Sequence, residues 1–371
     1  MVEDNKNMNI CILTSSIKEG YGGWARYSLE VYKELKTRPS INVTVITDDE
    51  SSEFRFKKID SNLSFIKNII PNVLYIRKIS KNCEIIHALD GYPYSIIAYL
   101  ASLGRRKQKF YITAIGTYTT TPLDNIYFGW LLKKAYTKAK KIFSISEFTA
   151  DKLKSKINLS NIEVVYMGVN HDILDLKTSP ANNDDIPYNF ILSVGDLKPR
   201  KGYHISIPAF AKVAKDHQDL YYVIVGYQFN SNYFNELKEL ADKHSVSDKI
   251  IFLSGISDNN LKALYTKAKL LILSSINDNK HYEGFGLVYI EAGLFGVPSI
   301  GSSNCGAEDA IVDGQTGYLI VQNNIELLAQ KINYLISNES LRKTMGEKAK
   351  SFANTFTWNK TIDSYIKYYN L

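Results

Sequence analysis

What most constrains this chain is a folding unit that opens it and then restarts after an interruption. An apolar, β-branched run at residues 9–14 leads into a glycine turn, Glu19-Gly20-Tyr21-Gly22-Gly23. A helix-period stretch at residues 24–35 and a second apolar run at residues 43–47 follow. Strand, glycine turn, helix and strand predict the first unit of a doubly wound parallel sheet. Further strands are expected at residues 84–88, 110–114, 141–144 and 163–166. A helix is expected at 126–140, where Tyr127, Trp130, Leu131 and Ala135 recur near helical period. The pattern breaks between Leu174 and Tyr188, where Pro180, Asn182, Asn183, Asp184, Asp185 and Pro187 supply linker chemistry.

After the break the alternation resumes. Strands are expected at residues 190–194, 221–225, 250–253, 270–274, 297–301 and 317–321. Helices are expected at 203–215, 259–267 and 287–295, with Pro208 acceptable only near the first turns of its helix. Residues 325–371 are helical by pattern. The class is α/β, built as two Rossmann-like domains, 1–178 and 179–356. A cleft between the domains is expected, with ligands at the carboxyl ends of the strands.

The length, 371 residues, suits two domains at about 150 residues each. Apolar residues at 45% and charged ones at 22% exclude a disordered chain. No apolar run approaches the length of a membrane span. The first nine residues carry Glu3 and Asp4 and no apolar core, so they do not read as a secretory signal. Cys11, Cys83 and Cys305 are odd in number and far apart, which fits reduced thiols in a cytoplasmic protein rather than a disulfide framework.

Net charge is +7, and residues 1–183 hold 26 Lys and Arg against 18 Asp and Glu, while residues 184–371 hold 19 against 20. The excess is densest at 105–141, where nine cations face only Asp124. Either an anionic partner, such as an anionic membrane surface, or a set of solvated helix faces accounts for it. No nucleic-acid reader motif accompanies these charges, so a nucleic-acid partner is not expected.

Two segments carry chemistry. In Glu283-Gly284-Phe285-Gly286-Leu287-Val288-Tyr289-Ile290-Glu291, a carboxylate precedes a glycine-flanked turn that opens an apolar helix. The first N–H groups of that helix, at Gly286, Leu287 and Val288, make an anion site suited to a pyrophosphate. Glu291 lies about 7 Å along the helix, a distance that suits a ribose, and Glu283 falls on the other side of the phosphate. An ordinary helix start with one exposed Glu is the alternative. In Val194-Gly195-Asp196-Leu197-Lys198-Pro199-Arg200-Lys201-Gly202, three cations crowd the loop after a strand. That loop binds phosphate or is simply solvated.

Taken together, Gly22-Gly23, Arg200-Lys201-Gly202, Glu283 with Glu291 after seven intervening residues, and Gly317-Tyr318-Leu319 resemble the retaining glycosyltransferases of family 4. Ile85-Ile86-His87-Ala88, Ser144-Ile145-Ser146-Glu147 and Gly168-Val169-Asn170 are similar to lesser motifs of that family. The resemblance implies the GT-B fold, with an acceptor-binding N-domain, a donor-binding C-domain, and residues 357–371 packed back on the N-domain. It implies transfer of a sugar from a nucleotide-diphosphate donor with retention, the donor being a co-substrate and no cofactor being needed. It also implies that Lys201 and Arg200 bind the diphosphate, Glu283 the sugar hydroxyls and Glu291 the ribose. Phe285, Gly286, Leu287 and Val288 would line the phosphate and sugar, and Gly22 and Gly23 would let the backbone approach the reacting centre. The implied acceptor is a glycan or a lipid-linked glycan, which fits a cytoplasmic enzyme peripheral to the membrane.

The absence of any Asp-x-Asp triplet agrees with a metal-independent reaction. Two positions depart from the pattern: Ile115 stands where a histidine is usual before Gly-Thr, and Asp196 where a cation often follows Gly195. Those departures support a rival reading, a nucleotide-sugar-binding subunit without turnover. A GT-B nucleotide-sugar epimerase is a second rival. His87 reads as part of a strand end with a structural role.

Overall fold

Among the described residues, twelve short strands segregate into two all-parallel sheets of six, and each sheet belongs to its own compact unit. The computed structural model describes residues 7–18, 22–50, 52–171, 186–228, 230–278 and 280–371. The first unit comprises Met1–Gly168 with Trp358–Leu371, and the second Val169–Thr357. The expected boundary at 178/179 lies outside the described residues.

The first unit runs β1 (Met8–Thr14), α1 (Gly22–Lys36), β2 (Ile41–Thr47), α2 (Asn62–Ile79), β3 (Ile85–Ala88), α3 (Tyr94–Ser102) and β4 (Lys109–Ala114). It continues through a single turn α4 (Thr117–Thr120), α5 (Gly129–Lys138), β5 (Lys141–Ser144), α6 (Glu147–Lys156) and β6 (Ile162–Val164). The strand order is β2-β1-β3-β4-β5-β6, so the winding reverses between β1 and β3. The inner strands β1, β3, β4 and β5 are buried on both faces, as parallel strands covered by helices are, which is why they read as continuous apolar runs rather than alternating ones. The glycine turn differs from expectation. Gly22 and Gly23 are the first two residues of α1 rather than its preceding loop, while Glu19, Gly20 and Tyr21 lie outside the described residues.

The second unit runs β7 (Phe190–Val194), α7 (Tyr203–Val213), β8 (Tyr221–Val225), α8 (Ser231–Lys243), β9 (Ile250–Leu253), α9 (Asp258–Lys267) and β10 (Leu270–Leu273). Then come α10 (Leu287–Leu294), β11 (Ser299–Ser302), a single turn α11 (Ala307–Ala310), β12 (Gly317–Ile320), α12 (Ile325–Ser337) and α13 (Glu339–Ala353). Its strand order is β12-β11-β10-β7-β8-β9, with the reversal between β7 and β10. Pro208 is the sixth residue of α7, in its second turn. Proline there forfeits the bond to the carbonyl four residues back, and the helix persists because it is buried along nearly its whole length.

The last helix, α14 (Trp358–Tyr369), belongs to the first unit. The Tyr365 hydroxyl meets that of Tyr27 on α1, and the Tyr369 hydroxyl lies 2.5 Å from His87 Nδ1. His87 Nε2 lies 2.9 Å from the Thr113 hydroxyl on β4, and burial pushes the imidazole down to about 3. His87 is therefore a neutral core residue that ties β3 to β4 and α14.

Candidate functional site

In open α/β sheets the loops that diverge at the winding reversal leave a crevice at the carboxyl ends of the strands. In the second unit those loops follow β7 and β10, and they carry the two charged segments. The β7 loop is fixed at several points. The amide of Gly195 donates to the Val225 carbonyl at 2.8 Å, and the buried Tyr203 hydroxyl donates to the Gly195 carbonyl at 2.6 Å. Pro199–Lys201 form one 3-10 turn, closed by Gly202 in the left-handed region at φ 72°. Glycine is required at that position. A Cβ on Gly202 would come within 1.8 Å of the Ser274 carbonyl oxygen, just past β10. The Ser274 hydroxyl donates to the Gly202 carbonyl at 2.8 Å, and the Ile276 amide to that of Arg200 at 2.8 Å. The two loops are thus joined, with Arg200 and Lys201 at the seam.

Glu283 comes to the same seam from the β10 side. Its Oε2 accepts from Lys201 Nζ at 2.5 Å and from the Ser275 hydroxyl at 3.3 Å, with Arg200 Nη1 at 3.5 Å. Burial opposes ionisation of this carboxyl, but the Lys201 and Arg200 cations beside it outweigh burial and hold it below the usual range. The Glu283 carbonyl accepts from the Gly306 amide at 2.8 Å, which fixes the backbone as well. A Cβ on Gly306 would lie 2.3 Å from Gly284, so that approach also needs glycine.

Gly286, at φ 83°, starts α10, and the Tyr289 ring fills the space where its Cβ would be, at 2.5 Å. The Tyr289 hydroxyl donates to the Leu273 carbonyl at 2.7 Å, which pins the helix to the end of β10. The first amides of α10, at Leu287 and Val288, have no acceptor within their own helix. Phe285 is buried against Phe356, so its side chain belongs to the core and its backbone to the turn. Glu291, the fifth residue of α10, is buried and accepts from the Tyr265 hydroxyl at 3.1 Å. Sequence reasoning did not single out Ser275, Tyr265, Tyr289 or Gly306. Of these, only Gly306 carried a local signal, as a glycine in the turn Asn304-Cys305-Gly306.

One cluster of the second unit therefore holds Arg200, Lys201, Glu283 and the turn through Gly286, with Leu287, Val288 and Glu291 on the helix it opens. Asp196 turns to Lys198, at 2.9 Å, rather than toward that cluster's cations. In the first unit, Gly22 and Gly23 start α1, and the space around a Cβ on Gly23 is open to 4 Å. Ile115 sits half-buried just after β4. At the carboxyl end of β3, Asp90 is a residue the sequence did not flag. It is buried, accepts from the Gly91 amide at 2.6 Å and the Thr119 hydroxyl at 3.2 Å, and burial pushes its carboxyl up to about 7. No group of three or more His, Cys, Asp or Glu suited to a metal occurs among the described residues.

Known proteins bear on this geometry. Residues 21–173 match the family described as Glycosyltransferase Family 4, and residues 177–352 match Glycosyl transferases group 1. The O-antigen chain mannosyltransferase of Salmonella typhimurium is 30% identical over 310 residues, 76% of this chain and 78% of that protein. The crystal structure of a glycosyltransferase from Rickettsia africae superposes with a TM-score of 0.82 at 26% identity, covering 98% of each chain. The Anabaena protein HepE, solved in complex with UDP and glucose, superposes with a TM-score of 0.78 at 21% identity, covering 97% of this chain and 100% of that one. Two family matches that together span nearly the whole chain, a mannosyltransferase relative and the same two-sheet architecture make this chain a member of the family 4 glycosyltransferases, with the GT-B fold.

Proposed function

We propose that this protein transfers a sugar from a nucleotide-diphosphate donor to a glycan or lipid-linked acceptor, with retention at the anomeric carbon and without a metal ion. One observation carries the reading: Lys201 and Arg200 converge on Glu283 at the winding reversal of the second unit, beside the start of α10. Two cations and the helix start offer a diphosphate fixed positive charge, already oriented before the ligand arrives. On donor binding, the phosphate oxygens take up Lys201 and Arg200, and Glu283 accepts hydrogen bonds from hydroxyls of the sugar. The Glu291 carboxylate, beside Tyr265, accepts from the ribose hydroxyls. In the first unit, Gly22 and Gly23 leave the backbone at the start of α1 open to a ligand.

In the transfer the bond from the anomeric carbon to the diphosphate oxygen breaks as a bond to the acceptor oxygen forms on the same face. The acceptor proton passes to a phosphate oxygen, and the products are a glycoside and a nucleoside diphosphate. Lys201 and Arg200 stabilise the charge that develops on the departing phosphate. The relative named as an O-antigen chain mannosyltransferase supports an acceptor in surface-polysaccharide assembly. For the anionic membrane surface, the exposed cations of 105–141 are Arg106, Lys107, Lys133, Lys134, Lys138 and Lys140. The Arg105 guanidinium donates to backbone carbonyls of Arg77 and Ser80, and Lys141 pairs with Glu163.

The test is a thermal-shift screen of UDP-, GDP-, ADP- and TDP-sugars, followed by transfer to the matched acceptor and assignment of the product anomer. One donor raises the melting point by linkage, the anomer is retained and activity survives EDTA. Donor binding without any transfer identifies a binding subunit. Conversion of donor without acceptor identifies an epimerase. Loss of activity to EDTA with rescue by Mg²⁺ or Mn²⁺ overturns the metal-independent site.

A further inference from the structure

Helix α2 lies on the surface of the first unit, yet it is apolar on two faces. Phe65 and Ile76 point into the core, with Ile69 and Val73 packed against it. On the opposite side Leu63, Ile66, Ile70 and Leu74 follow one another at spacings of three and four residues, and each is 63–76% exposed. A helix that is apolar all round belongs in a core or in lipid, and a single face left in water needs a reason. The stripe does not stop at the helix end. Asn125 Nδ2 donates to Asn62 Oδ1 at 3.1 Å, and Phe128 packs on Phe65 at 5.1 Å between ring centroids, so the 126–130 turn abuts the start of α2. That turn exposes Ile126 at 84%, Tyr127 at 59% and Trp130 at 57%. Together these side chains present on the order of 600 Å² of apolar surface, the upper end for one patch on a monomer.

The charge around the patch selects its occupant. The sequence of α2 contains Lys67, Arg77 and Lys78 and no acidic residue, with Lys67 and Lys78 exposed among the apolar side chains. Lys134 lies over the Trp130 ring at 5.0 Å, with the exposed Lys133 next to it. A second copy meeting this face across a two-fold axis would set like charges against each other. An aliphatic stripe with lysines along it and Trp and Tyr at one end matches the headgroup–acyl boundary of an anionic bilayer.

We propose that the exposed face of α2, with Ile126, Tyr127 and Trp130, is a membrane-docking surface that inserts into the interface of an anionic lipid leaflet. The inference rests on the reading above only in supposing that the acceptor is lipid-linked. It adds a defined apolar face to the basic segment at 105–141, which supplies Lys133 and Lys134 at its edge. Insertion, unlike adsorption by charge, leaves part of the binding intact at high salt.

The experiment is co-sedimentation of the full chain with phosphatidylcholine vesicles, with and without phosphatidylglycerol, read alongside tryptophan emission. The wild-type chain binds the anionic vesicles more tightly, retains part of that binding at high salt, and shows a blue shift that Trp130→Phe removes. Ile66→Glu with Ile70→Glu weakens binding by roughly tenfold or more, because charge replaces buried aliphatic surface. The same double variant melts as wild type without lipid, since both side chains are exposed. It also keeps the donor-induced melting shift, so loss of docking is distinguishable from failure of the glycosyltransferase reading. Absence of binding to anionic vesicles, or equal binding by the double variant, overturns the proposal. A dimer in lipid-free solution that the double variant abolishes also overturns it, in favour of a second copy.

Discussion

Lys201→Met separates what the Lys201–Glu283 pair does for the fold from what it does for the reaction. Methionine keeps the length of the side chain and removes its charge. Glu283 then stays buried with Arg200 at 3.5 Å and Ser275 at 3.3 Å as its remaining partners. Breaking a buried pair by deleting one member costs about 3–5 kcal/mol, and the retained Arg200 brings the expected loss to about 2–3 kcal/mol. For a unit of this size that is roughly 5–10 °C in melting temperature. The pH dependence has a definite sign. In the wild-type chain Glu283 titrates below its usual range, so its pairing contributes stability above the unfolded carboxylate's pKa and loses it as pH falls through the lower folded value. Without Lys201, burial leads and opposes ionisation, so stability instead falls as pH rises through the carboxylate range. The gap between wild type and variant must therefore widen from about pH 4 to about pH 7. Adding Glu283→Gln removes the uncompensated charge and restores about 2 kcal/mol in a double-mutant cycle. Activity behaves differently: kcat/KM falls about a hundred-fold or more in Lys201→Met, because the cation proposed to face the phosphate is gone, and at least as far in the double variant, which also loses the proposed Glu283 acceptor for the sugar hydroxyls. The assays are thermal melts across pH and steady-state kinetics with the identified donor. A gap that stays flat with pH, or a double variant no more stable than Lys201→Met, refutes the argument.

Three further outcomes follow from the same geometry. Asp196→Ala leaves kcat/KM nearly unchanged, because the carboxylate faces Lys198 in a partly exposed pair worth about 0–1 kcal/mol; a collapse in the assay would mean that the phosphate loop is misassigned. Glu291→Gln raises the donor KM by roughly ten- to a hundred-fold with kcat retained, since a ribose contact is made in ground and transition state alike, and an unchanged KM removes Glu291 from the site. Gly202→Ala forces a Cβ to within 1.8 Å of the Ser274 carbonyl at φ 72° and should cost more than about 3 kcal/mol in denaturant unfolding, whereas Gly23→Ala, with open space around it, should not; equal effects would contradict the placement of the loop.

The alternation of apolar runs and helix-period stretches made both sheets legible, and the strands at 190–194, 221–225 and 250–253 match their expected limits. Parallel strands are buried on both faces, so they stand out as short continuous runs bounded by turns. Helix starts were less legible. Nothing local distinguishes Gly22 and Gly23 as loop glycines from the same residues as the first of a helix. The helix through Pro208 was legible, but what offsets the proline was not, because its cost is local and the compensating burial shows only in the folded unit. Helix α2 was not legible, because a helix apolar on two faces loses the 3.6-residue contrast that betrays an amphipathic one. In the site, Glu283 and Glu291 were visible because their spacing is local. Tyr265 and Asp90 were not, since each matters through a partner that the fold brings from another element, and Ser275 was not, since only the folded loop brings it to Glu283.

The meeting of Lys201 with Glu283 explains why the cluster suits a ligand rather than stability alone. Two cations and one carboxylate leave the seam with one positive charge in excess, beside amides that have no acceptor in their own helix. A pair kept only for folding would need neither the second cation nor the close backbone approaches at Gly202 and Gly306. Before a ligand arrives, Glu283 holds Lys201 in place, so the long side chain is already ordered and little rotamer freedom remains to be lost on binding. On the proposed function, an arriving diphosphate, carrying more charge than a carboxylate, would compete for that cation and leave Glu283 free to accept from hydroxyl groups. The same contact would then be a placeholder in the empty site and a source of two separate recognition groups in the filled one.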